Sequence, residues 1–294
     1  MDPEAEAKHT GTAARLQARR GEITGSNTGI ATGVYCNLVV VPQEFAADFR
    51  QPCLRNPVCL PLLEQTDPGA RKSKLAAGSD ISTDIPRYNN YQDGKLHSAG
   101  VSNITAQWSD EHVGFLLGCS FTFEIGLAAA DPRLTARNMA EGKAPPVYVT
   151  SVQLNPSGVF TGACMVVSMR WYRKDDIPRV RAVTARFSRQ HGEPVAWGWE
   201  GAEYLGVADR LKAKAVDFGE WVEPVDGEVP VFWGCGVTGE IALRAAKIPG
   251  VSMTHYSGTM FVTDLTAEEV ENRGPRLEPL SPAITEDARD NGLA

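Results

Sequence analysis

Apolar and polar residues alternate along the chain in short blocks that predict strands and helices in turn. Residues 34–41 form a β-branched apolar run typical of a buried strand. Pro42 then opens a helix-like stretch, because proline fits the first turn of a helix. Residues 229–247 predict a strand, a glycine-rich turn and a helix with Thr238 as its N-cap. Strands that alternate with helices indicate an α/β layered domain.

Two further segments complete this pattern. Residues 108–130 predict a helix with Ser109 as the N-cap, since Asp110 and Glu111 in the first turn favour the positive end of the helix dipole. Residues 259–265 predict a last strand.

The stretch from 147 to about 225 has a different pattern. Three strand-like segments follow one another at 147–154, 158–172 and 179–188, with turn-forming residues between them. Consecutive strands favour an antiparallel sheet, and hence an α+β unit. Because the α/β pattern returns after residue 229, this unit is predicted to be inserted into the first domain.

The chain is therefore predicted to have a body between two flexible tails, which are polar and poor in large apolar residues. A short helix around residues 12–20 is expected within the first tail. The predicted parts are an N-terminal tail at 1–29, an α/β domain at 30–146 and 229–271, an inserted α+β domain at 147–228, and a C-terminal tail at 272–294.

Charge and apolar content exclude several classes of function. The net charge is −7 and the pI about 5.4, which disfavours nucleic acid and anionic membrane surfaces as partners. No apolar run reaches 18 residues and the N-terminus is acidic, so neither a transmembrane helix nor a signal peptide is expected. A cytoplasmic protein that binds a small carboxylate fits these constraints, because one or two arginines suffice for such a ligand.

The cysteine pattern argues against a metal site. The six cysteines are scattered and form no CxxC pair, so zinc is not expected and the thiols are expected to be reduced and partly buried. The residues indicate no other cofactor.

A first candidate cluster lies at residues 82–91. Asp84 and Arg87 are candidate substrate-binding residues, since an arginine can hold a carboxylate through two hydrogen bonds. Tyr88 is a candidate catalytic proton donor. A rigid surface turn with an Asp–Arg pair is the alternative.

A second cluster lies at residues 118–124. Cys119 and Ser120 are candidate catalytic residues before an apolar helix, and Glu124 within that helix is a candidate general acid or base. Local sequence alone favours the alternative, which is tight helix packing around a buried thiol.

A third candidate pair lies in the segment 166–171. Ser168 and Arg170 are two residues apart and so share one face of a strand, which could line a substrate cleft. A strand with one solvated face is the alternative.

A fourth cluster follows the strand predicted after residue 229. Gly234, Gly236 and Thr238 are candidate substrate-binding residues and Cys235 a candidate catalytic group, because open α/β sheets bind ligands at strand ends. The alternative is simple turn geometry.

The last candidates lie near the final strand and in a loop of the insert. Thr254 is a candidate substrate-binding residue and His255 a candidate catalytic acid or base, although a lone histidine is more often structural. Asp264 could pair with a cation. His191 could cover the site or merely form a turn.

These segments together resemble the D-glutamate cyclase family of bacterial hydro-lyases, as a divergent member. The similarity covers most of residues 30–271, and several motifs in the right order make it specific. The matching segments are DFRQPCLRNPVCLPLL (48–63), STDIPRY (82–88), GCSFTFE (118–124), SGVFTGACMVVSMR (157–170), HGEPV (191–195), VPVFWGCGVT (229–238) and the spaced motif TH..G.M..TD (254–264).

The resemblance implies a three-layer α/β/α domain with an inserted two-layer α+β domain. It also implies a lyase that eliminates water, with closure of D-glutamate to 5-oxo-D-proline as the name-giving reaction. That reaction needs a carboxylate clamp, a base and donors for an oxyanion. We expect Arg87 and Arg170 to suit the clamp, and Glu124 or His255 the base. The oxyanion donors are expected from Ser120, Thr238 and the Gly234–Gly236 amides. A homodimer is expected by analogy and size.

The chain departs from the family pattern in two motifs. HGEPVAWGWE stands where relatives usually have HGxPVHxGDP, and THYSGTM where they have THAPGHM, so two histidines are replaced. Trp171 stands where a proline is expected. These changes indicate a changed substrate or lost activity. A repurposed biosynthetic enzyme acting on a larger metabolite, or a non-catalytic binding protein, are the alternatives.

The same departures add aromatic residues. Trp171, Trp197, Trp199 and Tyr256 could form a flatter, more apolar pocket, or they could pack on the core of the insert.

Overall fold

A computed structural model describes residues 10–273, which form two antiparallel sheets with helices packed against them. The strands are β1 (Tyr35–Pro42), β2 (Leu62–Gln65), β3 (Tyr88–Gln92), β4 (Lys95–Val101), β5 (His112–Gly118), β6 (Val147–Gln153), β7 (Cys164–Arg173), β8 (Ala196–Trp197), β9 (Glu228–Gly234), β10 (Val251–His255) and β11 (Phe261–Val262). The α-helices are α1 (Gly11–Arg19), α2 (Ala46–Arg55), α3 (Phe121–Ala130), α4 (Arg137–Ala140), α5 (Ile177–Thr184), α6 (Gly198–Tyr204), α7 (Ala208–Lys212), α8 (Thr238–Ala246) and α9 (Ala267–Arg273).

The larger sheet has the strand order β2-β5-β1-β10-β3-β4, and β11 also pairs with β1. The predicted apolar strand at 34–41 is β1, and it is apolar throughout because both of its faces are covered. Val39 and Val41 pack with residues of α2 and α8, whereas Leu38 and Val40 pack in a second cluster on the opposite face. Burial on both faces is what a continuous apolar run indicates.

The smaller sheet has the order β6-β7-β9-β8. Strand β9 pairs with β7 from Gly234 opposite Val167 to Glu228 opposite Arg173. Residues 229–234 therefore extend the sheet of the segment predicted as an insert, rather than the sheet of the main domain. The mixed α/β class is confirmed, with antiparallel sheets, whereas the three-layer arrangement with an insertion stays a prediction.

Two element predictions are wrong. The segment 108–130 begins with strand β5, not with a helix capped by Ser109, because every residue from His112 to Gly118 is buried between β1 and β2. The segment 179–188 contains helix α5, not a strand. Its buried Val180, Val183 and Thr184 follow the helical spacing, while its arginines point to solvent.

The N-terminal segment is packed onto the body from residue 10 onward. Thr10 caps α1 by accepting a hydrogen bond from the Ala13 amide at 3.1 Å. The buried Arg15 donates to the Val262 carbonyl at 2.7 Å and to Asp264 at 2.9 Å. The expectation of a loose tail is therefore wrong for this helix, whereas residues 1–9 and 274–294 lie outside the described residues.

Within residues 10–273, no helix combines the length and the apolar character that crossing a bilayer requires. This finding concerns the helices alone.

Candidate active site

A small cavity lies between the two sheets and is lined by residues from both. Its volume is about 20 Å³, which is room for about one water molecule. The lining residues are Asn37, Cys119, Ser120, Phe121, Ala144, Pro145, Val147, Ser168, Cys235, Val237, Ser257, Gly258 and Met260. Four of the predicted site residues, Cys119, Ser120, Ser168 and Cys235, therefore meet here although they are far apart in sequence.

Two similar strand-to-helix junctions form opposite parts of this wall. Strand β5 ends at Gly118 and leads through Cys119 into α3, and β9 ends at Gly234 and leads through Cys235 into α8. The first turn of each helix carries unsatisfied backbone N–H groups and the positive end of the helix dipole. The cavity is therefore suited to a negatively charged or strongly polar group.

The two cysteine thiols are held protonated. Burial raises the pKa of Cys119 to about 12 and that of Cys235 to about 11, although a backbone amide at each junction opposes the shift. A nucleophilic cysteine needs a thiolate at working pH. In the unliganded protein both groups therefore act as neutral, weakly polar wall atoms.

All six cysteines are free thiols, and Cys164 alone among them is partly exposed. We expect a thiol-reactive dye at pH 8 to modify about one thiol per native chain, and all of them after unfolding in guanidinium, because burial blocks both access and ionisation. Cys164→Ser should abolish the rapid reaction. Fast reaction of several native thiols would contradict this packing.

Asn37 links the two junctions, and it was not identified from the sequence. Its Nδ2 donates to the Gly118 carbonyl at 3.0 Å. A Cβ atom built on Gly236 would lie 2.1 Å from the same Nδ2, so only glycine fits at that position. The available signal was one amide side chain within the apolar strand β1.

Arg170 and Glu124 form a buried ion pair behind the cavity. Arg170 Nε lies 2.8 Å from Glu124 Oε1, and Nη2 lies 2.7 Å from the same oxygen. The remaining acceptor capacity of Glu124 is taken up by Asn138 at 3.1 Å and Thr28 at 3.3 Å. Both carboxylate oxygens are therefore held by protein groups. The structure therefore gives Glu124 a supporting position rather than that of a free base.

Arg170 in turn holds two hydroxyl groups of the cavity wall. Its Nη2 donates to Ser120 Oγ at 2.8 Å, and its Nη1 donates to Ser168 Oγ. The rings of Phe123 and Trp233 lie against the guanidinium, with centroids 5.2 and 5.5 Å away. With all three nitrogens engaged inside the protein, Arg170 positions the serines and is not free to clamp a substrate.

A wider cleft of about 520 Å³ adjoins the cavity and shares Ala144, Ser257 and Gly258 with it. Among the aromatic residues predicted to reshape the pocket, Tyr256 lines this cleft and is 44% exposed. Trp171 is instead buried, where it donates to the Val222 carbonyl at 2.8 Å and packs edge-on against Trp221. For Trp171 the alternative of packing on the core of the insert is therefore correct.

The other two tryptophans lie at the surface of the smaller sheet. Trp197 is 40% exposed, with the Arg181 guanidinium over its ring, and Trp199 is 43% exposed. Neither lines the cavity or the cleft.

The cluster at residues 82–91 lies away from the cavity and is structural. Asp84 is buried and accepts two hydrogen bonds from Arg19, at 2.8 and 2.9 Å. The Tyr88 hydroxyl donates to the Ile81 carbonyl at 2.7 Å, and burial raises the pKa of Tyr88 far above its usual range. A phenol so held is unsuited to donate a proton to a substrate.

Arg87 acts through its backbone. Its carbonyl accepts from the Tyr256 amide at 2.9 Å and from the Thr259 hydroxyl at 3.0 Å. These bonds fix the loop at residues 256–259, which forms part of the cleft wall. Thr259 thus anchors this loop.

The two histidines proposed for the site are buried and neutral. Burial lowers the pKa of His255 to about 4, and its Nδ1 accepts from the Leu38 amide at 3.1 Å. Burial also lowers the pKa of His191 to about 4, and its Nδ1 lies 2.7 Å from the Val58 carbonyl. Neither residue lines the cavity or the cleft.

The remaining predicted residues are also held by internal contacts. Thr238 does not cap its helix, because its hydroxyl donates to the Cys235 carbonyl at 2.6 Å and accepts from the Val166 amide at 3.0 Å. The hydroxyl of the buried Thr254 donates to the His255 carbonyl. A Cβ on Gly234 would lie 2.7 Å from the Val58 carbonyl oxygen, so this glycine allows close packing.

Comparison with known proteins identifies the family. A family model described as D-glutamate cyclase matches residues 113–264, a range that contains both junctions and the two serines. The chain belongs to the D-glutamate cyclase family. A protein of Schizosaccharomyces pombe is 44% identical over 258 residues, which cover 86% of this chain and 83% of that protein. One from Rubrobacter xylanophilus is 45% identical, over 88% of this chain and 96% of its own length.

Both relatives bear the name "Putative hydro-lyase". The D-glutamate cyclase family is a family of lyases, and this chain is one of its enzymes. The supporting ion pair and the two junctions therefore belong to a lyase.

Proposed function

We propose that the protein is a carbon–oxygen lyase that removes water from a small amino-acid-like carboxylate, of the type that closes D-glutamate to 5-oxo-D-proline. The observation that carries this proposal is the convergence of two helix N-termini and two serine hydroxyls on one cavity. Such a group of donors suits a carboxylate in the ground state and the oxyanion that forms from it during attack.

Ser120 and Ser168 are the donors that we expect to act on the oxyanion. Each hydroxyl oxygen accepts a hydrogen bond from Arg170, so each keeps its own hydrogen available for a substrate oxygen. The cation behind them makes both hydroxyls stronger donors. In cyclisation the amine nitrogen attacks the side-chain carboxyl carbon, a C–N bond forms, and the departing oxygen leaves as water.

One observation favours a second candidate, a biosynthetic hydrolase or isomerase that acts on a larger metabolite. The cleft of about 520 Å³ lies within the range of pockets that hold drug-sized ligands, which are larger than glutamate. Tyr256 adds an exposed ring to its wall.

The test is turnover with D-glutamate, L-glutamate and a panel of amino and hydroxy acids, followed by mass spectrometry for loss of water. Ser168→Ala is expected to lower kcat about a hundredfold, as removal of one oxyanion donor does elsewhere. Ser252→Ala is the matched control, since Ser252 is equally buried but lies in β10 and lines neither the cavity nor the cleft.

Water loss from D-glutamate that Ser168→Ala suppresses would support the family reaction at this cavity. Water loss from another panel member alone would keep the lyase and change the substrate. Absence of water loss from every compound, with binding still detectable by calorimetry, would overturn the proposal in favour of the second candidate or of a non-catalytic binding protein.

A further inference from the structure

One buried carboxylate faces the cleft and has no part in the supporting ion pair. Glu240 lies in the first turn of α8, is 5% exposed and lines the cleft. The Arg244 guanidinium is 3.7 Å from Glu240 Oε1, beyond hydrogen-bond distance, and its side chain is half exposed. A carboxylate that is removed from water and weakly paired gains most from a ligand that brings its own positive charge.

Glu240 differs in this respect from Glu124, which is also a buried glutamate in the first turn of a helix. The carboxylate of Glu124 is enclosed by an arginine, an asparagine and a threonine and lines neither the cavity nor the cleft. Glu240, by contrast, is among the residues that line the cleft, although its side chain is only 6% exposed. Glu240 is therefore better placed than Glu124 to act as the general base of the reaction.

The charge of the cleft wall points to the same ligand. Its acidic lining residues are Glu220, Glu240 and Asp217, the last of which is paired with Arg210 outside the lining, whereas Arg244 is its basic one. The inner cavity, by contrast, has helix N-termini and hydroxyl donors. An amino acid carries the complementary pair of charges, because one oxygen of its carboxylate fits the cavity and its ammonium group suits the cleft.

Helix α8 connects the two regions within one turn. Val237, immediately before the helix, lines the cavity, and Glu240 follows three residues later. At 1.5 Å of rise per residue, the separation along the helix axis is about 4.5 Å. This length is comparable to the distance between the charged ends of a short amino acid.

We propose that Glu240 binds the ammonium group of the substrate and accepts its proton, so that the substrate is an amino acid with a side-chain carboxylate. This inference rests on the proposed function. Glu240 takes one proton from the ammonium group, which frees the nitrogen lone pair for attack on the carboxyl carbon. In the whole reaction the nitrogen loses two protons and the departing oxygen gains two. Glu240 transfers these protons one after the other. The products are the lactam and water.

The environment of Glu240 suits this proton transfer. Burial raises the pKa of Glu240 above its usual range, and both the Tyr91 phenol on β3 and the Arg244 guanidinium oppose that shift. A carboxyl with a raised pKa accepts and returns protons near neutral pH more readily than an ordinary one. Asp217, Glu220 and Tyr256 are the other ionisable groups of the cleft wall.

The experiment compares Glu240→Gln with the matched control Glu203→Gln, which removes an exposed carboxylate on α6, outside the cleft and the cavity. Calorimetry measures binding of D-glutamate and of glutarate, which has the same two carboxylates but no amine. Steady-state assays give kcat and KM across pH for the substrate identified by the turnover panel. Thermal unfolding checks that each variant is folded.

We expect Glu240→Gln to abolish the preference for the amino acid over glutarate and to lower kcat about a hundredfold or more, the range for loss of a general base. Glu203→Gln should behave as wild type. Equal binding of both ligands by wild type would overturn the inference, as would a Glu240→Gln variant that keeps both preference and kcat. A third outcome separates the two proposals. If wild type binds the amino acid more tightly than glutarate, Glu240→Gln loses that preference, and no water is released, then the proposed function is wrong and the ammonium site is supported.

Discussion

Replacement of Arg170 by alanine is expected to lower the free energy of unfolding by about 3–5 kcal/mol, the usual cost of removing one partner of a buried ion pair. The substitution would leave the Glu124 carboxylate buried beside Asn138 and Thr28 without a cation. Ser120 and Ser168 would lose the donor that orients them. Urea unfolding followed by circular dichroism measures the loss.

A surface pair provides the control for this prediction. Arg181 pairs with Glu193 at 2.8 Å, but both side chains are 44% exposed. Arg181→Ala should therefore cost less than about 1 kcal/mol. If Arg170→Ala unfolded at the same urea concentration as Arg181→Ala, the buried pair could not support the site as described. The double variant Glu124→Gln/Arg170→Met should recover part of the loss, since no unpaired charge then remains.

Replacement of Asp84 by alanine is expected to lower the free energy of unfolding by about 3 kcal/mol, because a buried carboxylate that accepts several hydrogen bonds is lost, although its partner Arg19 is 39% exposed. The Asp84 carboxylate is fully buried, accepts two hydrogen bonds from Arg19 and also accepts from the Asp80 amide at 2.8 Å. Loss of this carboxylate should detach α1 from the body before the rest of the chain unfolds.

Limited trypsin digestion, combined with urea unfolding, tests this second prediction. Cleavage after Arg19 or Arg20 should be faster in Asp84→Ala than in wild type. Asp209→Ala, which removes an exposed carboxylate on α7, should leave both digestion and stability unchanged. Unchanged digestion of Asp84→Ala would instead show that α1 is held by its other contacts. If Asp84→Ala also binds substrate with unchanged affinity, Asp84 has a structural role and no role in substrate recognition.

The sequence predicted the elements whose pattern is set locally. The apolar run of β1 and the strand–turn–helix at 229–247 are both present. Helix α5 was mistaken for a strand because its valines are β-branched and the segment is short, so that helical and strand periods are hard to separate. The pairing of β9 with β7 could not be predicted, since register between distant segments depends on tertiary packing.

The candidate site could also be predicted only in part, because its contacts depend on tertiary packing. Ser168 and Arg170 were correctly placed on one face of a strand, and both join the network behind the cavity. The cluster around Asp84 has the same residue types as a ligand site, but its partners lie in α1 and nothing local identifies them. Asn37 and Glu240 were missed because a single polar residue in an apolar context indicates a site only when its neighbours in space are known.

The engagement of Arg170 has a kinetic consequence. Its contacts with Glu124, Ser120 and Ser168 are made between protein groups alone, so the fold itself aligns the donors of the cavity. Electrostatic preorganisation of this kind avoids the reorganisation energy that solvent or mobile side chains would add at the moment of reaction. Substrate association should therefore follow a single exponential phase in stopped-flow measurements, without a slower isomerisation after encounter.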